Sequence, residues 1–241
     1  MIKNIFVAVA IVSMLNTAVN ADIVWLGTTD NDIFNEANWD LSSSSVTIID
    51  PNVSVEDNAV IGPGPFANDP VILEQPSQQR FQLGDGNTLT LSGSTLTVAG
   101  NDGVGGAPGT TNGPLVNVID GGQFDPFFVV NDVQVNIDAT SSATFGGGGN
   151  PINLSAVDLT PGAMLGFLNE TPDAYRAEHL SKTTVLGAPA IEGDNVMIAA
   201  MGAGSKITVI PEPTSMILTS FGMLALLSFR RKVAGSSETS C

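Results

Sequence analysis

The residues of this chain that could do acid–base chemistry cluster near position 175. Tyr175 and His179 are the only tyrosine and the only histidine of the 241 residues, and Arg176 and Glu178 lie between them. In a helix, positions 175, 178 and 179 share one face, so a general acid could lie beside a general base. A single amphipathic turn that packs Tyr175 and Leu180 while its charges face water explains the same residues. We favour this structural interpretation and predict no catalytic residue.

Acidic, asparagine-bearing corners are the candidate metal ligands, because Ca²⁺ prefers oxygen donors. None of them has the spacing of an EF-hand or of the calcium-binding nonapeptide repeat. Asx turns produce the same local pattern, so we predict no metal site and no cofactor, and keep calcium as the alternative. The glycine run 146–149 lacks the Lys-Ser/Thr of a phosphate loop and is interpreted as a flexible corner. The corners are Asp30-Asn31-Asp32, Gly84-Asp85-Gly86-Asn87 and Asn101-Asp102-Gly103.

Composition excludes several classes of protein. Between residues 22 and 210 there are 22 acidic side chains and four basic ones, Arg80, Arg176, Lys182 and Lys206. A nucleic-acid partner is therefore not expected, because phosphate binding needs clustered Lys and Arg. The single cysteine, Cys241, excludes a disulfide framework, and the single histidine excludes His-clustered zinc chemistry and most Ser-His and Cys-His catalytic arrangements.

The central part of the chain has the pattern of short β-strands. Glycine and turn-forming residues are abundant, no stretch before residue 170 sustains a helical apolar period, and apolar and polar residues alternate in segments such as Val133 to Asp138. A unit of two strands with a small-residue corner recurs at 88–98, 115–124, 133–145 and 152–167. We therefore predict an all-β fold with further strands at 183–186, 195–199 and 207–210.

The spacing of the recurring unit favours a parallel β-solenoid, or β-helix, with a β-sandwich as the alternative. The first apolar anchors are Leu89, Val116, Val133 and Ile152, at intervals of 27, 17 and 19 residues. Intervals near twenty residues suit one coil of a solenoid. The predicted core consists of Leu89, Leu91, Leu96, Val98, Val116, Val118, Phe124, Val133, Val135, Ile137, Phe145, Ile152, Leu154, Leu165 and Phe167.

Three further segments are assigned places in this architecture. Trp25-Leu26-Gly27 and Asn38-Trp39 resemble the opening of exported repeat proteins with passenger-like β-helices, and we interpret both tryptophans as a hydrophobic plug on the first coil. The proline-rich segment Pro51 to Pro76 is expected to be an edge or a connection. Thr171-Pro172-Asp173 predicts the start of a short helix that closes the C-terminal end of the stack.

The N-terminus has the pattern of a secretory signal peptide at residues 1–21. Lys3 supplies the positive charge, Ile5 to Leu15 is the apolar stretch, and Val19-Asn20-Ala21 places small residues before a cut between Ala21 and Asp22. Eleven residues would rise only about 16 Å as a helix, which is roughly half of the ~30 Å hydrocarbon core. A short membrane anchor is therefore the less favoured alternative, and the body at 22–210 is expected to fold outside the cytoplasm.

The C-terminus combines three features in a fixed order. Pro211-Glu212-Pro213 holds an exposed, extended glutamate. The apolar run through Phe229 would span about 24 Å as a helix, enough for a transmembrane anchor with local thinning. Arg230-Arg231-Lys232 then retains the end in the cytoplasm by the positive-inside rule. An unprocessed anchor helix is the alternative to a sorting signal.

The three-part segment resembles the PEP-CTERM sorting signal of Gram-negative envelope proteins. The resemblance covers roughly residues 210–232. It implies export by the general secretory route, tethering in the inner membrane, and recognition of Pro211, Glu212 and Pro213 by an exosortase that processes the tail. It also implies a cell-surface or extracellular-matrix location among exopolysaccharide. The family usually ends at the basic cluster, whereas a polar tail, 233–241, follows here.

The sequence thus predicts a non-catalytic surface or matrix protein, with two alternatives on a β-helix. A carbohydrate-active enzyme would need Arg80, Arg176, Lys182 or Lys206 beside carboxylates in a groove. A carbohydrate-binding module would need several exposed aromatic residues in a row, and Phe127 and Phe128 are the only obvious aromatic pair outside the predicted core. We therefore expect no binding on a glycan array.

Overall fold

The computed structural model describes residues 21–46, 49–73 and 79–211. These residues form an all-β parallel solenoid of about five turns, which confirms the prediction of a solenoid. The strands are β1 Asp22–Trp25, β2 Trp39–Asp40, β3 Ser54–Val55, β4 Asn58–Ile61, β5 Val71–Ile72, β6 Arg80–Leu83, β7 Thr88–Ser92, β8 Thr95–Val98, β9 Gly103–Gly106, β10 Leu115–Ile119, β11 Gln123–Asp125, β12 Phe128–Val130, β13 Gln134–Ile137, β14 Ser142–Phe145, β15 Ile152–Asn153, β16 Ala156–Leu159, β17 Met164–Phe167, β18 Thr183–Val185, β19 Ala188–Pro189, β20 Val196–Met201 and β21 Gly204–Val209. One α-helix, α1 Pro172–Glu178, and two 3₁₀ turns, Glu36–Asn38 and Leu180–Lys182, complete the elements of the described residues.

Residues 1–20 of the predicted signal segment and the predicted C-terminal membrane helix lie outside the described residues. Within the described ranges, no helix has the length and apolar character needed to cross a bilayer.

Each full coil contributes one short strand to each of three sheets. The first sheet has the order β19-β18-β16-β13-β10-β7-β4-β1-β2, the second β20-β21-β17-β14-β11-β8-β5, and the third β15-β12-β9-β6-β3. Neighbouring coils pair in parallel, whereas β2, β19 and the β20–β21 hairpin add antiparallel strands at the ends of the stack. The structure thus has three strands in each coil, whereas the sequence predicts two. The third strand is hard to recognise because the strands of the third sheet are short and one of them, β9, has the sequence Gly-Val-Gly-Gly.

The register of the first sheet corrects two of the four predicted anchors. Val116 lies opposite Leu89, as expected, but the next partners are Val135 and Val157. The intervals along this row are therefore 27, 19 and 22 residues. Ile152 belongs to the third sheet, where it lies opposite Val129. The error arose because an isolated apolar residue does not identify the sheet to which its strand belongs.

The interior is built from rows of apolar side chains that repeat from coil to coil. One row from each sheet runs through the stack, and its members are fully buried. Of the predicted core, Leu154 is wrong: its side chain is 68% exposed, because it lies at a corner with a φ of 54° that turns the chain between two sheets. Val98 is only partly buried. The rows are Leu89, Val116, Val135 and Val157; Leu96, Phe124, Ala143 and Leu165; and Phe81, Val104, Val129 and Ile152.

Aromatic packing closes the N-terminal end of the stack. Trp25 and Trp39 are buried and meet edge to face, with ring centroids 5.2 Å apart, and Trp39 stacks on Phe81 at 5.9 Å. Their burial confirms the predicted plug. The segment Pro51 to Pro76, predicted as an edge or connection, carries β3 and β5, which are the edge strands of the third and second sheets, and β4, which pairs on both sides within the first sheet. Short strands fit between the prolines, so the prolines do not interrupt the ladder.

The short helix α1 closes the C-terminal end. The Thr171 side chain accepts a hydrogen bond from the Ala174 N–H and Pro172 occupies the first turn, which confirms the predicted helix start. The helix places Tyr175 against Phe167, with ring centroids 5.2 Å apart. Phe167 also stacks on Phe145 of the preceding coil at 5.2 Å, so the helix continues the aromatic packing of the interior.

Candidate functional site

The outer face of the third sheet carries a groove, and two outward glycines lie beside its wall. Gly103 and Gly105 are the outward positions of β9, next to Arg80 on β6 and to Phe128 and Val130 on β12. A Cβ atom at Gly103 would lie 2.7 Å from a ring carbon of Phe128, and one at Gly105 would lie 3.1 Å from the Arg80 Cδ. The neighbouring side chains therefore lie flat across the strand, in the space that the two glycines leave open.

The groove offers aromatic faces, amides and one guanidinium group. Its volume is about 330 Å³ and its wall includes Arg80, Phe127, Phe128, Asn131 and Asn150. Phe127 and Phe128 meet edge to face with ring centroids 6.5 Å apart. Among the described residues, the Arg80 guanidinium has no ion-pair partner. The wall of the groove is mainly polar, and a concave surface of this size can hold a small molecule or a few units of a polymer.

A second groove adjoins the first at a corner of the solenoid. Its volume is about 480 Å³, and Asn150 and Asn153 line both grooves. Lys182 lines the second groove and donates hydrogen bonds of 2.7 Å to the Asn150 Oδ1 and to the Ile152 carbonyl. Desolvation lowers the pKa of the Lys182 ammonium, and the charge of Glu178 raises it in part.

The four basic side chains of the body do not form one basic centre. Arg176 donates two hydrogen bonds of 2.6 Å to Glu192 and one of 2.7 Å to Asp173, on the outer surface of the C-terminal end. Arg80 lines a groove whose described walls carry no carboxylate. Lys206 lies on β21 at the second sheet. The pairing of a basic residue with carboxylates in a groove, which a polysaccharide-cleaving enzyme would need, is therefore absent from the first groove.

A polar cluster lies between the last coil and α1. Glu170, Glu178 and His179 place one carboxylate oxygen each and one ring nitrogen within 4.8 Å of one another. Glu170 is 4% exposed and His179 is fully buried, whereas Glu178 is exposed. Both ring nitrogens of His179 lack a hydrogen-bond partner. Sequence analysis grouped Glu178 with His179 but missed Glu170, which precedes the helix and becomes adjacent only when the chain turns into it.

The electrostatics of the cluster follow from burial. Desolvation, with a smaller effect of the Lys182 charge, lowers the pKa of His179 to about 4. Burial raises the pKa of Glu170, a hydrogen bond from the Gly149 N–H opposes this shift, and the charge of Glu178 adds to it. The imidazole is therefore neutral at pH 7. Tyr175 faces the same interior, donates to or accepts from the Thr183 hydroxyl at 2.7 Å, and has its pKa raised to about 12 by burial.

The predicted calcium corners use their carboxylates in hydrogen bonds within the chain. Asp30 accepts from the side chains of Asn35 and Asn38, at 2.8 and 2.6 Å. Asp85 accepts from the backbone of Thr111 and Asn112 in the next coil. Asp102 Oδ1 accepts from the Gln79 N–H at 2.6 Å. Asp30 and Asp32 also accept from the N–H two residues on, as in an Asx turn, whereas Asp85 and Asp102 bond to distant segments.

The glycine run between β14 and β15 differs in part from its interpretation as a flexible corner. The N–H groups of Gly146 and Gly147 donate to the carbonyls of Pro126 and Phe127, both at 2.9 Å, so these two glycines extend the ladder to the preceding coil. Gly148 and Gly149 are exposed and form the turn. Gly147 is also buried beneath Phe127, where a Cβ atom would lie 2.5 Å from the Phe127 oxygen.

The predicted processing residues lie at the two limits of the solenoid or beyond it. The Ala21 carbonyl accepts a hydrogen bond from the Asn58 N–H at 3.0 Å, and Asp22 begins β1. Pro211 is exposed and follows β21 by two positions. The other predicted residues, Glu212, Pro213, Arg230, Arg231 and Lys232, lie outside the described residues.

Comparison of the chain with protein-family models, with curated proteins and with solved structures found no match.

Proposed function

We propose that the chain is an exported structural protein of the cell surface or the extracellular matrix, sorted through a PEP-CTERM-type signal at residues 211–232. In this proposal the segment 1–21 directs export and is removed. The inner membrane holds the C-terminal helix until an exosortase-type enzyme processes the tail. The solenoid is then displayed or released among exopolysaccharide.

The order of the terminal segments carries the proposal. A Pro-Glu-Pro triplet, an apolar run and a basic triplet follow each other at one end, and an apolar stretch behind Lys3 lies at the other. The strands of the solenoid, from Asp22 to Val209, lie between these two terminal segments. The Ile210 N–H makes the last backbone bond of the ladder region, to the Asn195 carbonyl at 2.8 Å, and Pro211 is already exposed. A processing enzyme could therefore reach the triplet with the solenoid folded.

Mapping the mature termini by mass spectrometry in the native cell tests this proposal. We expect the mature chain to begin at Asp22 and to end upstream of Arg230. Deletion of residues 211–232 should release the domain from the cell envelope. Recovery of the intact chain from the cytosol, or a deleted variant that stays cell-associated, would refute the sorting scheme. A matched control deletes 233–241, which lies beyond the three-part signal.

A second candidate function is carbohydrate binding, and the groove over β9 favours it. Phe127 and Phe128 present apolar ring surface, Asn131 and Asn150 present amides, and the unpaired Arg80 presents five donors that suit hydroxyl groups. The body carries 22 acidic and four basic side chains, so repulsion disfavours a polyanion and favours an uncharged polysaccharide. The sequence predicts no binding on a glycan array, because it does not show that Arg80 and Phe128 line the same groove. The carbohydrate-binding candidate differs from that prediction.

Affinity electrophoresis in gels that contain neutral polysaccharides tests the second candidate. Retardation of the full chain should be lost in Phe128→Ala and in Arg80→Gln. Arg176→Gln, a surface arginine distant from the groove in the fold, is the matched control and should migrate like the natural chain. Equal migration of all variants at every polysaccharide concentration would exclude the groove as the binding site.

A further inference from the structure

The buried imidazole of His179 is one of several buried polar groups that have no hydrogen-bond partner among the described residues. Neutral imidazole carries one N–H donor and one lone pair, and in folded proteins both normally find partners when buried. Here the ring is fully buried and neither nitrogen has a partner among the described residues. The nitrogen instead lies within 4.8 Å of carboxylate oxygens of Glu170 and Glu178. A ring nitrogen this close to two carboxylate oxygens, without a hydrogen bond to either, is compatible with a shared metal ion.

We propose that Glu170, Glu178 and His179 bind one divalent first-row metal ion, with Zn²⁺ as the representative. One imidazole nitrogen and two carboxylate oxygens match the ligand types of Zn²⁺ and its neighbours, whereas Ca²⁺ and Mg²⁺ prefer oxygen alone. Ligand atoms about 2.0–2.2 Å from a tetrahedral ion are about 3.3–3.6 Å apart, so the 4.8 Å cluster has to contract by up to about 1.5 Å, not counting changes in the buried side chains. Glu178 is exposed, so rotation of its side chain supplies part of this contraction.

The surroundings of the cluster hold the ligands in place. Phe167 stacks on the His179 ring at 5.2 Å with an interplanar angle of 4°, which fixes the plane of the imidazole. The Thr183 hydroxyl donates to the His179 carbonyl at 3.1 Å, and the Gly149 N–H donates to Glu170. The two carboxylates repel each other without a cation, and the Lys182 charge offsets only one of them.

A metal at this position would tie the helix to the last coil. Glu170 precedes α1, while Glu178 and His179 lie at its C-terminal end. The ion would join both ends of the helix, next to the Phe167 ring that stacks on His179. The bound ion is thus expected to raise the melting temperature, because it binds the folded chain and not the separated ligands of the unfolded one.

Isothermal titration of the full chain with Zn²⁺ tests the site, after treatment with a chelator and without an added histidine tag. We expect one ion per chain. Glu178→Gln and His179→Phe each remove a ligand, so the dissociation constant for Zn²⁺ should rise by more than the about 10–100-fold that follows when a residue next to a metal ligand is changed. Glu36→Gln, an exposed acid in the first coil, is the matched control and should bind as the natural chain does. Because Glu178 is exposed, Glu178→Gln keeps the test valid if His179→Phe does not fold.

Spectroscopy identifies the ligands, since the chain has a single histidine and a single cysteine. X-ray absorption of the zinc-loaded chain should show one imidazole and no sulfur, and Cys241→Ser should bind equally well. Any of three results would overturn the proposal: no saturable binding by the natural chain, equal binding by Glu178→Gln and the natural chain, or loss of binding in Cys241→Ser.

Discussion

Replacing Gly103 by alanine should destabilise the solenoid through a single added carbon atom. The new Cβ would lie 2.2 Å from the Phe128 carbonyl oxygen, which belongs to the backbone of the neighbouring coil and cannot rotate away. Overpacking of this kind costs about 1–3 kcal/mol. The smaller conformational freedom of alanine in the unfolded chain offsets about 0.4–1 kcal/mol of that cost. We expect a net loss of about 1–2 kcal/mol in the free energy of unfolding.

Two other glycine positions provide matched comparisons in the same assay. At Gly105 the added carbon would lie 3.1 Å from Arg80 Cδ and from Val130 Cγ2, both side-chain atoms that can move, so the change should stay within about 1 kcal/mol. At Gly148 the nearest atom, Asn169 Cβ, is 3.6 Å away, and we expect a change within about 0.5 kcal/mol. Equilibrium unfolding in urea measures all three. Equal stability of Gly103→Ala and Gly148→Ala would refute the reasoning that β9 needs glycine for close approach.

Three further predictions concern the core and two titrating groups. Phe167→Ala should cost about 3–5 kcal/mol in urea unfolding, because it empties the centre of the ring stack, whereas Leu154→Ala should cost less than about 0.5 kcal/mol. Amide donors lower the pKa of Asp30 from 3.8. The stability that its carboxylate confers is therefore present above pH 3.8 and is lost as the pH falls through the folded pKa. Asp30→Asn should flatten the dependence of the free energy of unfolding on pH below about pH 4. Tyr175 has its pKa raised to about 12, so the stability it confers is present below pH 10 and is lost between pH 10 and 12. Tyr175 is the only tyrosine, so the tyrosinate absorbance of the folded chain reports on it alone. We expect no tyrosinate absorbance at pH 10, and a midpoint of ionisation near pH 10 would contradict the burial of Tyr175.

The repeat of apolar residues made the solenoid predictable, because each coil must supply the same interior rows. Leu89 and Val116 were identified as partners from spacing alone, and the helix after Thr171 was identified from its capping residues. The third sheet was not predicted, since β9 has only Val104 as an apolar residue and glycine otherwise signals a turn. The misplacement of Ile152 followed from that omission, because a third strand per coil changes which residues share a sheet.

The candidate sites were harder to predict, because they depend on neighbours from different coils. Phe127-Phe128 was visible as an aromatic pair, yet Arg80 comes beside Phe128 only through two parallel registers across Gly103. The alternation of glycines at 103 and 105 was the available signal for a recessed strand. Glu170 and His179 are nine residues apart, a separation that no local spacing rule relates to a metal site. The burial of the His179 imidazole, on which the metal-site proposal rests, results from the packing of the coils and cannot be seen in the local sequence.

The corner at residues 107–114 shows how the rod can acquire new features without changing its interior. Its eight residues make the interval between Leu89 and Val116 longer than the next, 27 against 19, while both intervals end on the same buried row. Asp85 fastens this corner to the preceding coil through the backbone of Thr111 and Asn112. Because lengthening a surface loop costs little free energy, evolution or an engineer could graft foreign segments here. The corner is therefore a position at which the solenoid could carry inserted segments of different lengths without a change in its coils.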